Sequence, residues 1–144
     1  MLASDQRVGR QREFRIACKQ APAFRSSRTE FLNELCDRAD CGLLLDITNL
    51  FINSRNHGFD PIAWLHEIEP RRIQQLHIVG YSREGDRYTD AHARPIQEEL
   101  IELASAVVCY APVQSIVLER DEDIPDTKEP EIEIVKLERI CGRN

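Results

Sequence analysis

The stretch Gly42-Leu-Leu-Leu-Asp46 decides the fold class of this chain. It is a continuous apolar run rather than an alternating one, which is typical of a parallel strand covered by helices on both faces. Two similar runs, Ile73–Val79 and Ser115–Glu119, follow it, and segments with helical periodicity separate the three. The sequence therefore predicts an α/β fold in which parallel strands alternate with helices.

Capping signals place the helices between these strands. Ser27 with Glu30 three residues later forms a capping-box pattern, so a helix is predicted to begin there and to end at Gly42. A short helix is expected from Asp60-Pro61, another with its apolar face on residues 96–107, and a closing helix over 130–140. The Glu-Ile-Glu-Ile alternation in the last of these also fits a strand. Polar loops are expected after Asp46 and from Gly80 to Arg94.

Composition excludes several classes of protein. The chain has 144 residues, 42% of them hydrophobic and 31% charged, and no apolar run approaches eighteen residues. A disordered chain and a membrane-spanning one are therefore not predicted. The five cysteines are odd in number and lack CxxC spacing, and the N-terminus has no signal-peptide pattern. These features favour a cytoplasmic location with reduced thiols.

Charge is distributed unevenly along the chain. Residues 1–28 hold seven Arg or Lys and two acids, which gives +5 and leaves −11 of the net charge of −6 for the remainder. The acidic body disfavours nucleic-acid binding, because phosphate contacts need a positive face. We expect a basic, poorly ordered segment over residues 1–27 and a single metal-binding domain over 28–144.

Polar side chains gather at the predicted carboxyl ends of the three strands, which form the functional face of parallel α/β folds. They are hard oxygen and imidazole donors that suit iron, manganese or zinc, whereas clustered cysteines are absent. The predicted metal-site residues are Asp46, Asn49, His77, Asp90, His92 and Glu119.

Each of these residues also has an ordinary structural explanation. Asp46 could cap a turn, His77 could be a hydrogen-bonded core histidine, and Glu119 could simply end a strand. Asp90-x-His92 is a weak motif by itself, and it is the convergence of all six that favours a metal site. Tyr81 and Ser82 could contact a substrate, although Gly-Tyr-Ser is also a common turn.

Several motifs resemble the DUF692 family, also called UPF0276. They are Leu-Leu-Leu-Asp-Ile-Thr-Asn-Leu-Phe-Ile-Asn (43–53), Asn-His-Gly-Phe-Asp-Pro (56–61), Gln-Gln-Leu-His-Ile-Val-Gly-Tyr-Ser (74–82), Thr-Asp-Ala-His (89–92) and Val-Leu-Glu-Arg-Asp (117–121). The resemblance covers about residues 28–140. Where many relatives have Gly-His-Ser, this chain has Gly80-Tyr81-Ser82, and the family's first half has no counterpart in residues 1–24.

The resemblance implies the C-terminal part of an eight-stranded TIM barrel of the xylose-isomerase type, with two or three iron ions. It implies oxidation of cysteine in a ribosomally made peptide by dioxygen, and a partner protein that presents the peptide. The same six residues are the implied metal ligands. We expect a truncated or misassigned start, and three strands alone would leave open sheet edges through which copies could associate.

Three functional hypotheses remain open at this point. The first is a partial iron- and dioxygen-dependent oxidase or oxygenase of peptide cysteine. The second is a non-catalytic truncated barrel that binds metal or protein. The third, from fold analogy alone, is a sugar isomerase-like or epimerase-like metal enzyme.

Overall fold

The computed structural model describes residues 27–122 and 128–142. The predicted basic segment falls almost entirely outside these residues, so its character stays a prediction. Five helices and five strands make up the described part: α1 (Arg28–Ala39), β1 (Leu43–Asp46), α2 (Ile47–His57), α3 (Pro61–His66), β2 (Ile73–Ile78), β3 (Gly80–Glu84), β4 (Arg87–Arg94), α4 (Glu98–Tyr110), β5 (Ser115–Leu118) and α5 (Lys128–Ile140). A 3-10 turn over Pro70–Arg72 leads into β2.

The sheet is parallel, as the three apolar runs predict. Its order is β1-β2-β5, with β2 in the centre. Asp46 lies opposite His77 on the neighbouring strand, and His77 lies opposite Val117. The register therefore brings the polar carboxyl ends of β1 and β2 to the same level of the sheet.

Apolar side chains from the three-stranded sheet and from the five helices form the core. Leu76 and Ile78 of β2 are fully buried, as are Leu100 and Val107 of α4. Each fully buried aliphatic side chain of this size contributes about 1.5–3 kcal/mol relative to exposure. The sheet is thus held by the helical faces that the periodicity predicts.

The prediction of a polar loop directly after Asp46 is wrong, because residues 47–57 form α2. Ile47, Leu50 and Phe51 recur at helical spacing and are buried, and Gly58 ends the helix in the left-handed region with φ 70°. The polar Asn and Ser residues of this segment concealed its apolar stripe. This helix starts at the residue after Asp46, which places its first turn beside the ends of the strands.

The prediction of a long loop from Gly80 to Arg94 is also wrong, because β3 and β4 form an antiparallel hairpin there. Gly85 and Asp86 connect the strands, and Gly85 adopts φ 60°. A glycine followed by a polar residue is a typical two-residue hairpin turn. Asp90 and His92 therefore lie on a strand rather than on an irregular loop.

The ends of the remaining elements differ slightly from expectation. Helix α1 ends at Asp40 in the left-handed region (φ 46°), not at Gly42, since Asp tolerates this conformation through local hydrogen bonds. The Glu-Ile-Glu-Ile segment lies in α5, so the strand alternative is wrong. Among the helices of the described residues, none combines the length and the apolar character needed to cross a membrane.

Candidate metal centre

Asp46 ends β1 and caps α2 at the same time. Its Oδ1 accepts a hydrogen bond from the Asn49 backbone N–H (2.9 Å), and its Oδ2 accepts one from Asn49 Nδ2 (2.9 Å). The first bond satisfies one of the otherwise unpaired N–H groups of the helix. The capping alternative is therefore correct for Asp46, and the carboxylate is fixed at the carboxyl edge of the sheet.

A chain of hydrogen bonds runs from Asp46 to the hairpin. Asn49 Nδ2 also lies 3.0 Å from Asp90 Oδ2, to which it donates, and His92 Nε2 lies 3.0 Å from the same oxygen. The other ring nitrogen, His92 Nδ1, lies 3.2 Å from Asp121 Oδ1. Side chains from β1, α2, β4 and the segment after β5 thus meet in one polar cluster.

His77 of β2 forms a pair with Glu119, the residue that follows β5. His77 Nδ1 lies 2.9 Å from Glu119 Oε2, and the two side chains are 11% and 16% exposed. Glu119 is held in register because its backbone N–H donates to the Ile78 carbonyl oxygen (3.1 Å). His77 is thus a hydrogen-bonded buried histidine, whose partner is itself one of the six predicted site residues.

His92 has an unusual backbone conformation, with φ 50°. This left-handed region is uncommon for residues other than Gly, although Asn, Asp and His adopt it more often than other residues do. Its carbonyl oxygen accepts hydrogen bonds from the N–H groups of Asp121 (3.3 Å) and Glu122 (3.2 Å). The segment after β5 therefore holds the backbone of His92 as well as its ring.

The charges of the cluster act on one another. Burial raises the pKa of Asp46, hydrogen bonds from Asn49 oppose this, and the charges of Asp90 and Glu119 raise the pKa further. Burial alone would lower the pKa of His92, but the Asp90 carboxylate and further negative charges outweigh it, so this pKa is raised. The cluster thus favours a positive charge among its carboxylates.

The six predicted residues meet as one hydrogen-bonded series of four, Asp46–Asn49–Asp90–His92, and one pair, His77–Glu119. Within the described ranges, no three His, Cys, Asp or Glu side chains are grouped so that they could hold a metal ion. Their chemistry nevertheless fits a divalent first-row metal, because imidazole and carboxylate donors lie side by side in a largely buried cluster. To become a ligand, His92 would have to exchange a carboxylate contact for the ion.

Tyr81 is anchored into the fold. Its backbone N–H donates to Gln97 Oε1 (3.1 Å), its hydroxyl donates to Glu99, and its ring stacks on Phe51 at 5.2 Å between centroids. Burial and this hydrogen bond raise the pKa of Tyr81 to about 12. The Ser82 carbonyl oxygen accepts from Thr89 Oγ1 at 3.5 Å. A substrate contact by Tyr81 or Ser82 stays a prediction.

Three further residues of this region were not predicted, because the sequence argument considered only polar residues at or just after the strand ends. Asp121 lies two residues after Glu119, so strand alternation could have placed it on the same face. Thr48 is fully buried and ties α2 to the end of β2. Arg120 is a buried cation behind the cluster, and only its position within the Val-Leu-Glu-Arg-Asp motif marked it in the sequence.

The fold and the cluster define an α/β protein with carboxylates and imidazoles at the carboxyl edge of a parallel sheet. The family model described as RiPP precursor modification enzyme MbnB/TglH/ChrH matches residues 16–141, so the match begins earlier than the resemblance, which covers about residues 28–140. The chain belongs to this family, as its motifs predict.

Curated relatives agree with this assignment. The chain is 38% identical over 100 residues to a UPF0276 protein of Rhizorhabdus wittichii, covering 69% of this chain and 36% of the relative. It is 40% identical over 106 residues to one of Anaeromyxobacter sp., covering 72% and 38%. It is 35% identical over 117 residues to a UPF0276 protein of Caulobacter vibrioides, covering 79% of this chain and 41% of the relative. The chain thus spans about two fifths of the length of these relatives.

Proposed function

We propose that this chain supplies part of the iron centre of a RiPP precursor modification enzyme that oxidises cysteine in a ribosomally made peptide with dioxygen. The observation that carries the proposal is the hydrogen-bonded series Asp46–Asn49–Asp90–His92 with the His77–Glu119 pair beside it. Family membership supports the reaction class, and the strand arrangement is consistent with part of a TIM barrel.

The residues that would hold metal ions are those of the cluster: Asp46, Asn49, His77, Asp90, His92 and Glu119. Carboxylates and imidazoles favour iron, and manganese or zinc would fit the same donors. Bound iron supplies a Lewis acid for a substrate thiolate and a redox partner for dioxygen.

The chain's own residues contribute position, charge and exclusion of water. Asn49 orients the carboxylates of Asp46 and Asp90 by donating to both. Glu119 orients the ring of His77, which fixes which imidazole nitrogen is presented to the centre. The low exposure of these side chains strengthens each electrostatic interaction relative to water.

The test begins with metal content. Purified chain loaded anaerobically with Fe²⁺ and desalted should retain iron, and His92→Ala should lose a large part of it. His66→Ala is the matched control, because His66 is exposed on α3, ahead of the amino end of β2. Iron-free wild-type chain, or equal iron in wild type and His92→Ala, would contradict the proposal.

The substrate class is tested separately on the loaded chain. A synthetic peptide that contains one cysteine should produce a sulfur-to-iron charge-transfer band, and the same peptide with serine should not. Oxygen consumption with the cysteine peptide then reports the reaction. Iron retention with an identical spectrum for both peptides would favour a non-catalytic metal-binding module, the alternative role for this chain.

A further inference from the structure

The side chain of Arg120 points away from the candidate centre, whereas the side chains of its neighbours Glu119 and Asp121 point into it. Glu119 and Asp121 contact the two histidines, whereas Arg120 between them contacts α5. This alternation is that of an extended segment, in which successive side chains point to opposite faces. The Arg120 side chain is only 7% exposed, so its charge has been removed from water.

The guanidinium joins three parts of the fold. Nη1 donates to Glu129 Oε1 (2.6 Å) and Glu133 Oε2 (3.1 Å) of α5, and Nη2 donates to the Ala93 carbonyl oxygen (3.0 Å). Glu133 in turn accepts from the Ile96 backbone N–H through Oε1 (2.6 Å). Arg120 and Glu133 therefore clamp the chain on the C-terminal side of His92 from two directions.

The clamped segment is the one with the unusual backbone. His92 holds φ 50°, and such a conformation costs on the order of 1–3 kcal/mol unless the surroundings enforce it. The carbonyl oxygens of His92 and Ala93 both accept hydrogen bonds from residues 120–122. The contacts of Arg120 are thus among those that keep His92 in the left-handed region.

Stability alone is a weak reason for this buried ion pair. Desolvation of two charges offsets much of their attraction, so a buried pair often adds little to the free energy of unfolding. Arg120 Nε is moreover buried without a hydrogen-bond partner in the described part of the chain. A geometric role accounts better for the placement of the charge.

We propose that Arg120 is a positioning residue for His92. It holds the His92 backbone in the left-handed region, so that the imidazole lies between Asp90 and Asp121 and is presented to the candidate centre. The conformational part of this inference stands on the contacts above, and its consequence for a bound metal rests on the proposed function.

The test is an NMR spectrum of the ¹³C-histidine-labelled chain, which contains four histidines. Arg120→Met should shift the His92 ring signals and leave those of His77 in place, because Glu119, the residue after β5, holds His77. Arg72→Met is the matched control. Arg72 also pairs with a carboxylate, Asp37, and has a buried Nε without a hydrogen-bond partner, but it lies ahead of the amino end of β2. It should leave His92 unchanged.

If Arg120→Met lacks the His77 signal of the folded chain, that variant has not folded. Arg120→Lys is then the variant that tests the inference. Lysine keeps a cation for Glu133, but a single ammonium group cannot reproduce the planar fork that also reaches Ala93. The His92 signals should therefore shift in this variant too. Unshifted His92 signals in the folded variants, or an equal shift in Arg72→Met, would overturn the inference.

Titration with Co²⁺ alone extends the test to the centre. Loss of a residue that orients a ligand weakens metal affinity by about 10- to 100-fold, and we expect this for Arg120→Met but not for Arg72→Met. Wild-type chain that shows no response to Co²⁺ would count against the proposed function. The shift of His92 in the metal-free variants would still establish the positioning role.

Discussion

The Thr48 hydroxyl forms two hydrogen bonds with the same residue, Val79. It donates to the Val79 carbonyl oxygen (2.6 Å) and accepts from the Val79 N–H (2.9 Å), and Thr48 is fully buried. Val79 directly follows β2, so this contact fixes the first turn of α2 against the end of the central strand. The position of Asn49 in the cluster depends on it.

Replacement of Thr48 by Val should destabilise the chain. The side chain keeps its shape, but the polar groups of Val79 lose their partner in the core, which costs about 1–3 kcal/mol in the free energy of unfolding. Urea denaturation measures the change. Thr48→Ser retains the hydroxyl and should cost only about the value of one methyl group, about 1 kcal/mol. A Val variant no less stable than the Ser variant would contradict this.

Gly80→Ala should displace the hairpin. A Cβ at this position would lie 2.0 Å from the Pro95 carbonyl oxygen and 2.4 Å from that of Arg94, and these are backbone atoms that cannot rotate away. Overpacking of this kind costs about 1–3 kcal/mol. Thermal unfolding measures the loss, and proteolysis within residues 80–94 measures the displacement.

Gly42→Ala is the matched control for that variant. Its Cβ would approach Gln74 Cδ at 2.6 Å, which is the end of a flexible and exposed side chain. Because this side chain can move aside, the unfolding temperature should change much less than for Gly80→Ala. Equal losses in the two variants would show that the space at Gly80 is not what limits substitution.

The charge on His92 should make stability depend on pH in the metal-free chain. Its folded-state pKa is raised, so the stabilisation is complete below the unfolded-state pKa of about 6.5 and is lost as pH rises through the folded value. The free energy of unfolding should therefore fall as pH rises above about 6.5 when a chelator is present. Asp90→Asn removes the hydrogen-bonded carboxylate and should reduce the fall. The same slope in both proteins would contradict the assignment.

Tyr81 and Glu99 should be energetically coupled. The Tyr81 hydroxyl donates to Glu99 and lowers the pKa of that carboxyl, while its ring packs on Phe51 independently. A cycle of Tyr81→Phe, Glu99→Gln and the double variant should give a coupling energy of about 0.5–1.5 kcal/mol in unfolding experiments. Additive losses would contradict a coupling between the Tyr81 hydroxyl and the Glu99 carboxylate.

The sequence predicts the sheet well because each parallel strand is a continuous apolar run. Those of 42–46, 73–79 and 115–119 match β1, β2 and β5 within one residue at each end. Helix α2 and the two strands of the β3–β4 hairpin were not predicted, for separate reasons. Polar Asn and Ser residues concealed the apolar stripe of α2, and the hairpin has few large apolar side chains on β4 to reveal a strand.

The site was predictable to the extent that strand ends converge. The structure brings Asp46, Asn49, Asp90 and His92 into one hydrogen-bonded series and pairs His77 with Glu119. Their role as metal ligands stays a prediction. The contributions of Asp121 and Arg120 depend on tertiary contacts with β4 and α5, which no local pattern encodes.

Asp46 is both a residue of the candidate centre and the N-cap of α2, so it links the centre to the first turn of that helix. Both of its carboxylate oxygens accept a hydrogen bond from Asn49, so a cation that binds either oxygen draws charge away from a hydrogen bond in the first turn of α2. Cation binding to the cluster should therefore favour fraying of the first turn of α2, and fraying of that turn should favour cation binding to the same extent. Amide hydrogen exchange at Asn49 would consequently act as a built-in reporter of what the cluster holds.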